Sequence, residues 1–247
     1  MAVDMYVMPL WRFKTSYFES VMDRMCREQG LSGKRVTSYG VEELGGEVVV
    51  PAAYDVTVAK NQVTWLQLYV SHQAGSKITW RDEGDMLYGE QAHGMADLRT
   101  FAKHMEVHGS REGFVPPEPH KFWEHPVWKK VAPPDSPASR LFPLLTGSSF
   151  YNGYILPGDF PGLLKGDSYQ DLAGREVTRQ VASVKSMLEE LDRLGEALAV
   201  PCGEEPHDDF EPNGCPKELF LVFEASRQLG EVLRLGDRNG LPVIFWG

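Results

Sequence analysis

The pattern of apolar and polar residues along the chain predicts several buried strands. Residues 3–10 (VDMYVMPL) and residues 150–156 are short apolar runs bounded by turn residues, which is typical of strands. The runs 63–70 (VTWLQLYV) and 76–80 (SKITW) predict a hairpin across HQAG, because β-branched and aromatic residues dominate both. Residues 241–246 (LPVIFW) predict a last strand that inserts into the sheet.

Helical periodicity is strongest in the C-terminal third of the chain. Apolar residues that recur three or four positions apart predict helices over 16–29, over 95–108, over 172–199, and from Cys215–Pro216 to the turn at Asn239–Gly240. The third of these carries a stripe formed by Val177, Val181, Val184, Leu188, Leu191 and Leu198. The stripe indicates a long amphipathic helix with one buried face.

Strands and helices are interspersed without strict alternation, which favours an α+β fold with a mixed or mostly antiparallel sheet. The sheet is accompanied by two long amphipathic helices in the C-terminal third and by a final C-terminal strand. We expect one domain over residues 1–247. A break between subdomains is expected near 113–137, because this segment holds seven of the 17 prolines.

The charge balance narrows the classes of partner. The formal net charge is −10 and the isoelectric point is about 5.2, which disfavours binding to nucleic acid or to an anionic membrane. An odd count of three cysteines argues against a secreted disulfide framework. No signal-peptide pattern and no apolar window of membrane-spanning length is found, so a cytoplasmic location is expected.

No established catalytic motif is present. The phosphate-binding glycine loops, the G-x-S-x-G nucleophile elbow and the H-E-x-x-H zinc helix are all missing. These absences lower the expectation of an enzyme without excluding one, because catalytic residues often come from distant segments.

His104 and His108 form the clearest candidate metal pair. Four residues apart on a predicted helix, the two imidazoles share one face and can ligate one zinc ion. A third ligand would have to come from His93 or from residues 120–125. The structural alternative places His108 at the helix C-terminus, where the helix dipole favours a cation, with His104 partly exposed.

The aromatic segment, residues 120–130 (HKFWEHPVWKK), offers a second candidate site. Trp123 and Trp128 can bind a protein partner or, together with residues 150–156, line a ligand pocket. Such aromatics also anchor proline-rich segments to a core, which is the more common arrangement.

The acidic loop, residues 200–216 (VPCGEEPHDDFEPNGCP), joins the two C-terminal helices. Cys202, His207 and Cys215 lack the close ligand pairs of a zinc site, and a Cys202–Cys215 disulfide requires an oxidising compartment. One-sided charge is the remaining feature, and the carboxylates are Glu204, Glu205, Asp208, Asp209 and Glu211. The loop is therefore either a solvated link or a surface that attracts a basic partner.

Together these features favour a non-enzymatic cytoplasmic binding protein without a cofactor. We expect an inhibitor or immunity-type protein that engages the basic surface of a protein partner through acidic loops. Two alternatives stay open: a metal-dependent hydrolase that uses zinc at His104 and His108, and a small-ligand binder.

Overall fold

The computed structural model describes residues 3–14, 34–37, 40–43, 56–130, 141–147, 152–170, 175–198 and 216–246. The predicted helix over 16–29 and the whole loop 200–215 lie outside these residues. The helices with α-helical hydrogen bonding are α1 (Leu10–Lys14), α2 (Val56–Ala74), α3 (Met95–His108), α4 (Pro143–Gly147), α5 (Val184–Leu198) and α6 (Phe220–Asn239). Short 3-10 helices cover Pro119–Glu124, Pro126–Lys129 and Lys217–Leu219.

A mixed, mostly antiparallel six-stranded sheet organises the fold, as the sequence predicts. Its strands lie in the order β4, β1, β8, β5, β7, β6, and only β5 and β7 are parallel. Their bounds are β1 (Val3–Val7), β4 (Tyr88–Ala92), β5 (Asn152–Leu156), β6 (Leu164–Gln170), β7 (Glu176–Ser183) and β8 (Val243–Trp246). A separate antiparallel hairpin pairs β2 (Lys34–Thr37) with β3 (Gly40–Glu43).

The last strand lies at the centre of the sheet. β8 pairs with β1 on one side and with β5 on the other, so the predicted insertion is confirmed. Successive residues of β8 point to opposite faces of the sheet: Val243 and Phe245 join the core beneath α3, α5 and α6, whereas Ile244 joins the core beneath α1 and α2. Helices therefore cover both faces.

The predicted hairpin over 63–70 and 76–80 is wrong. Residues 63–70 belong to α2, whose buried residues Ala59, Val63, Leu66 and Val70 follow helical spacing. Residues 76–80 contain no strand, although Ile78 and Trp80 are buried against α2. Trp65 and Leu68 are exposed on the outward side of α2, so apolar residues interrupt the polar face that marks a helix.

The helix predicted over 172–199 is confirmed only from Val184 onward, and its first part is wrong. Residues 176–183 form β7, and α5 begins only at Val184. The Ser183 hydroxyl accepts the backbone N–H of Ser186 at 3.3 Å, as the first residue of a helix cap does. Val177 and Val181 are four positions apart, a spacing that places two residues on one side of either a helix or a strand.

The helix predicted over 95–108 is confirmed, and so is the helix after Pro216, although its α-helical part begins only at Phe220. α3 spans Met95–His108 and ends at Gly109 in the left-handed conformation, with Leu98, Phe101, Ala102 and Met105 buried. α6 ends at Gly240, also left-handed, which turns the chain into β8. Within the described residues, no helix is both long enough and apolar enough to cross a membrane.

Both outer strands of the sheet carry charges. Glu90 lies in β4, and Lys165 and Asp167 lie in β6, where the pairing with β7 shifts register. Charged residues and a bulge on an outer strand discourage pairing with a further strand.

Candidate functional site

The aromatic segment packs against α3 through a buried base. Phe122 is buried, Trp128 is half-buried, and their rings lie edge to face with centroids 6.0 Å apart. The guanidinium of Arg99 from α3 lies over both rings, 5.3 Å from the Phe122 centroid and 5.5 Å from that of Trp128. This base holds the segment in place, as cation–π contacts and aromatic packing do elsewhere.

The Trp123 ring lies edge to face with the Phe122 ring, with centroids 5.4 Å apart, yet it is open to solvent. Its side chain is 54% exposed, whereas its neighbour Phe122 is only 6% exposed. A large aromatic ring displayed on a rigid support is a frequent feature of protein interfaces. The two tryptophans that the sequence predicts as partner-binding thus differ: Trp128 serves the support and Trp123 faces solvent.

A cavity of about 330 Å³ opens in the same segment, next to His125 and Pro126. Its lining includes the exposed residues Glu118, Lys121 and Glu124. Two carboxylates against one ammonium give the cavity a negative balance. A guanidinium or ammonium group that entered it would meet these carboxylates.

His104 and His108 lie side by side, as their spacing predicts. Their ring centroids are 4.5 Å apart, and His125 from the aromatic segment lines the same cavity. This histidine cavity has a volume of about 490 Å³, and its lining includes His104, His108, Glu112, Val115, His125 and Lys130. The structure thus brings His125, one of the residues expected to supply a third ligand, to the cavity.

Each imidazole of the histidine cavity already makes a hydrogen bond. Nε2 of His104 lies 3.1 Å from the Glu112 carbonyl and therefore donates, and Nδ1 of His125 accepts the Val127 N–H at 3.3 Å. Nε2 of His108 lies 3.5 Å from the Lys130 ammonium, which can only donate. Neutral His125 therefore carries its proton on Nε2, where it cannot ligate a metal.

Burial favours the uncharged form of two of these rings. It lowers the pKa of His104 and the pKa of His125 below the usual value of a histidine. His104 is only 6% exposed, so the expectation that it lies partly exposed is wrong. Among the residues that the structure describes, no three histidine, cysteine or acidic side chains are placed to hold a metal ion together.

A buried carboxylate lies beneath the same region. Glu190 of α5 is 2% exposed and accepts the backbone N–H of Leu144 at 2.9 Å and of Leu145 at 2.9 Å. Burial raises the pKa of Glu190 to about 7, and the nearby charge of Glu106 acts in the same direction. The two N–H groups act against this shift because they favour the charged carboxylate. The sequence analysis missed Glu190, whose signal is a carboxylate on the inward face of α5 between Met187 and Leu194.

The structure describes only one of the two other predicted sites. The acidic loop, with Glu204, Glu205, Asp208, Asp209 and Glu211, lies outside the described residues, as do both of its cysteines. Residues 152–156 form β5 in the sheet rather than a wall of the histidine cavity, and Tyr154 is buried beneath α1. The division of the chain near 113–137 stays a prediction, because residues 131–140 are not described.

Comparison of the chain with protein-family models, with curated proteins and with solved structures gave no match.

Proposed function

We propose that this chain is a non-enzymatic binding protein of the inhibitor or immunity type, whose partner presents a basic surface. The observation that carries the proposal is Trp123, an exposed indole on a buried aromatic base, next in sequence to Glu124, which lines a cavity together with Glu118. An arginine or lysine side chain fits this arrangement, because it can pair with a carboxylate and lie over an aromatic ring.

The net charge of −10 supports the same class of partner. Excess negative charge accelerates association with a basic protein and makes binding sensitive to salt. The five carboxylates of the acidic loop would add to this attraction. Their share is tested separately, because the loop and Trp123 lie in different parts of the sequence.

Capture from an extract of the source cells tests the proposal. The full chain serves as bait at about 20 mM and about 300 mM salt, a range over which charge screening changes markedly. We expect a basic protein to be retained at low salt and released at high salt. With that protein purified, Trp123→Ala should weaken binding by at least about tenfold, as for a central aromatic contact.

Trp65 supplies a matched control, because it is 53% exposed and lies on α2 rather than on the aromatic segment. Trp65→Ala should leave the affinity within about twofold of wild type, as expected outside the contact. Equal losses from the two alanine variants, or no retained partner at low salt, would contradict the proposal. Neutralising all five loop carboxylates should lower affinity further and reduce its dependence on salt.

A second candidate function is small-ligand or zinc binding in the histidine cavity, where the rings of His104 and His108 lie side by side at the wall of a cavity of about 490 Å³. It is tested by titrating the purified, untagged chain with zinc chloride and following heat release. Stoichiometric binding that disappears in both His104→Gln and His108→Gln would favour this candidate over partner binding alone. No binding at micromolar zinc would remove the metal-dependent hydrolase from consideration.

A further inference from the structure

Lys130 lies at the histidine cavity beside an imidazole instead of a carboxylate. Its ammonium is 3.5 Å from Nε2 of His108, and within the described part of the chain it forms no ion pair with an aspartate or glutamate. Lys14, Lys103 and Lys185, by contrast, each pair with a carboxylate. The Lys130 ammonium therefore keeps hydrogen-bond donors available for an anion.

Glu112 lines the same cavity but contributes its backbone to the contacts there. Its N–H donates to Oγ of Ser110 at 3.1 Å, and its carbonyl accepts from His104. Glu112 is exposed, and its carboxylate forms no ion pair with Lys130. The charged group that is held by a contact inside the cavity is thus the ammonium of Lys130.

The cavity also offers an apolar wall that is open to solvent. Val115 lines it and is 61% exposed, next to Pro126 and to the buried Val127. Small-molecule sites combine apolar walls with a few polar groups that fix the orientation of the ligand. An exposed isopropyl group and an ammonium at one cavity match this combination.

The volume and the single ammonium narrow the class of ligand. About 490 Å³ is far more than a bare ion fills and lies within the range of small-molecule sites. One ammonium neutralises one anionic group, whereas a polyphosphate needs several cations. A molecule with one carboxylate and a flat apolar body fits both the charge and the wall.

Building on the second candidate function above, we propose that the histidine cavity binds a small aromatic carboxylate, with the carboxylate on the Lys130 ammonium and the ring against Val115. The carboxylate replaces Nε2 of His108 as the acceptor of a Lys130 N–H. A hydrogen bond between two charged groups is stronger than one between an ammonium and a neutral imidazole, which favours this exchange.

An NMR titration of the full, ¹⁵N-labelled chain with 2-naphthoate tests the proposal. The backbone amide signals of Val115 and Val127 should move, with a Kd of about 1 mM, as the typical affinity per atom of drug-sized ligands gives. The neutral analogue 2-naphthamide has the same shape and should bind at least about fivefold more weakly. Acetate, which lacks the ring, should leave the same signals nearly unchanged.

Two neighbouring lysines provide a matched pair of variants. Lys130→Gln should weaken 2-naphthoate binding at least about fivefold and bring it to the level of the carboxamide. Lys129→Gln removes an equal charge at an exposed position outside the cavity wall and should stay within about twofold of wild type. Val115→Ser should weaken both compounds, because both lose the apolar wall. Circular dichroism establishes that each variant is folded.

Equal affinity for 2-naphthoate and 2-naphthamide, with the same signals moving, overturns the carboxylate class and leaves small-ligand binding in the cavity intact. Equal losses from Lys129→Gln and Lys130→Gln overturn the assigned contact. No movement with either compound at about 10 mM, ten times the expected Kd, also overturns the proposal. The second candidate function falls with it only if the zinc titration is silent as well.

Discussion

Glu190 and Arg99 hold opposite ends of the same short helix, α4. The Glu190 carboxylate accepts the first free N–H groups of α4, from Leu144 and Leu145. Arg99 donates to the carbonyl of Leu145 at 3.3 Å and to that of Thr146 at 3.1 Å. The helix dipole stabilises a negative group at the start of a helix and a positive group at its end. Arg99 also supports the aromatic rings, so α4 is tied to the base beneath Trp123.

Replacing Glu190 should change how stability depends on pH. The pKa of Glu190 in the folded chain is about 7, well above the ordinary 4.5, so folding favours its protonated form. Its contribution is fully present below pH 4.5 and is lost as the pH rises through 7. We expect the free energy of unfolding of wild type, relative to Glu190→Gln, to fall by about 2–3 kcal/mol between pH 4.5 and pH 8.

Urea unfolding of both proteins at several pH values measures this difference. Asp82 and Asp97, whose pKa values burial raises to about 6, titrate in both proteins and cancel in the comparison. Parallel curves for wild type and Glu190→Gln would show that Glu190 does not titrate in this range.

Arg99→Lys should destabilise the chain nearly as much as Arg99→Ala. A lysine keeps the charge but cannot donate to two carbonyls and lie flat over two aromatic rings. We expect a loss of about 1.5–3 kcal/mol for either variant, from urea unfolding followed by tryptophan fluorescence. Full rescue by lysine would mean that only the charge of Arg99 matters.

Two helix-terminal glycines should respond very differently to alanine. Gly94 and Gly109 both have left-handed backbone angles, with φ of 74° and 67°. A Cβ on Gly94 would lie 2.4 Å from the backbone carbonyl oxygen of Leu221, whereas nothing lies within 4 Å of one on Gly109. We expect a loss of about 1 kcal/mol for Gly109→Ala and about 3–5 kcal/mol for Gly94→Ala, measured by urea unfolding. Similar losses would show that α6 moves aside without cost.

His104→Gln should make the stability of the chain less sensitive to acid. Burial lowers the pKa of His104, so the stability that comes from its neutral form is present above the ordinary pKa of 6.5 and is lost as the pH falls below it. A glutamine amide can still donate to the Glu112 carbonyl but does not titrate. The stability of wild type relative to His104→Gln should therefore decrease from pH 7.5 to pH 5, and a constant difference would contradict this origin.

The sequence predicts the parts of this fold in which one pattern has one interpretation. α3 combines a helical apolar face with a terminal glycine, and β8 is a short apolar run after an Asn–Gly turn, so local chemistry suffices for both. The prediction of a strand over 63–70 is wrong because Trp65, Leu68 and Tyr69 occupy positions of α2 where polar residues usually mark the solvent side of a helix. The prediction of a helix over the residues of β7 is wrong because the four-residue spacing of Val177 and Val181 suits a strand and a helix equally.

The candidate sites show the same limit. His104 and His108 are neighbours because they lie four positions apart on one helix, and this spacing can be read from the sequence. His125 reaches them, and Glu190 reaches Leu144, only through contacts between distant segments. No local pattern encodes such contacts. A carboxylate on the inward face of α5 indicates only that hydrogen-bond donors must lie close to it in the core.

The central position of β8 has a consequence for biosynthesis. β1 and β5 emerge from the ribosome long before their shared neighbour, so each waits with an unpaired edge while the intervening chain is made. Asp4 can meet Trp246 only after residue 246 has been released, and until then half-formed sheets on adjacent nascent chains can pair with each other. Productive folding of the core therefore waits until β8 has been made, and termination before residue 243 exposes the cell to aggregation rather than to a smaller folded product.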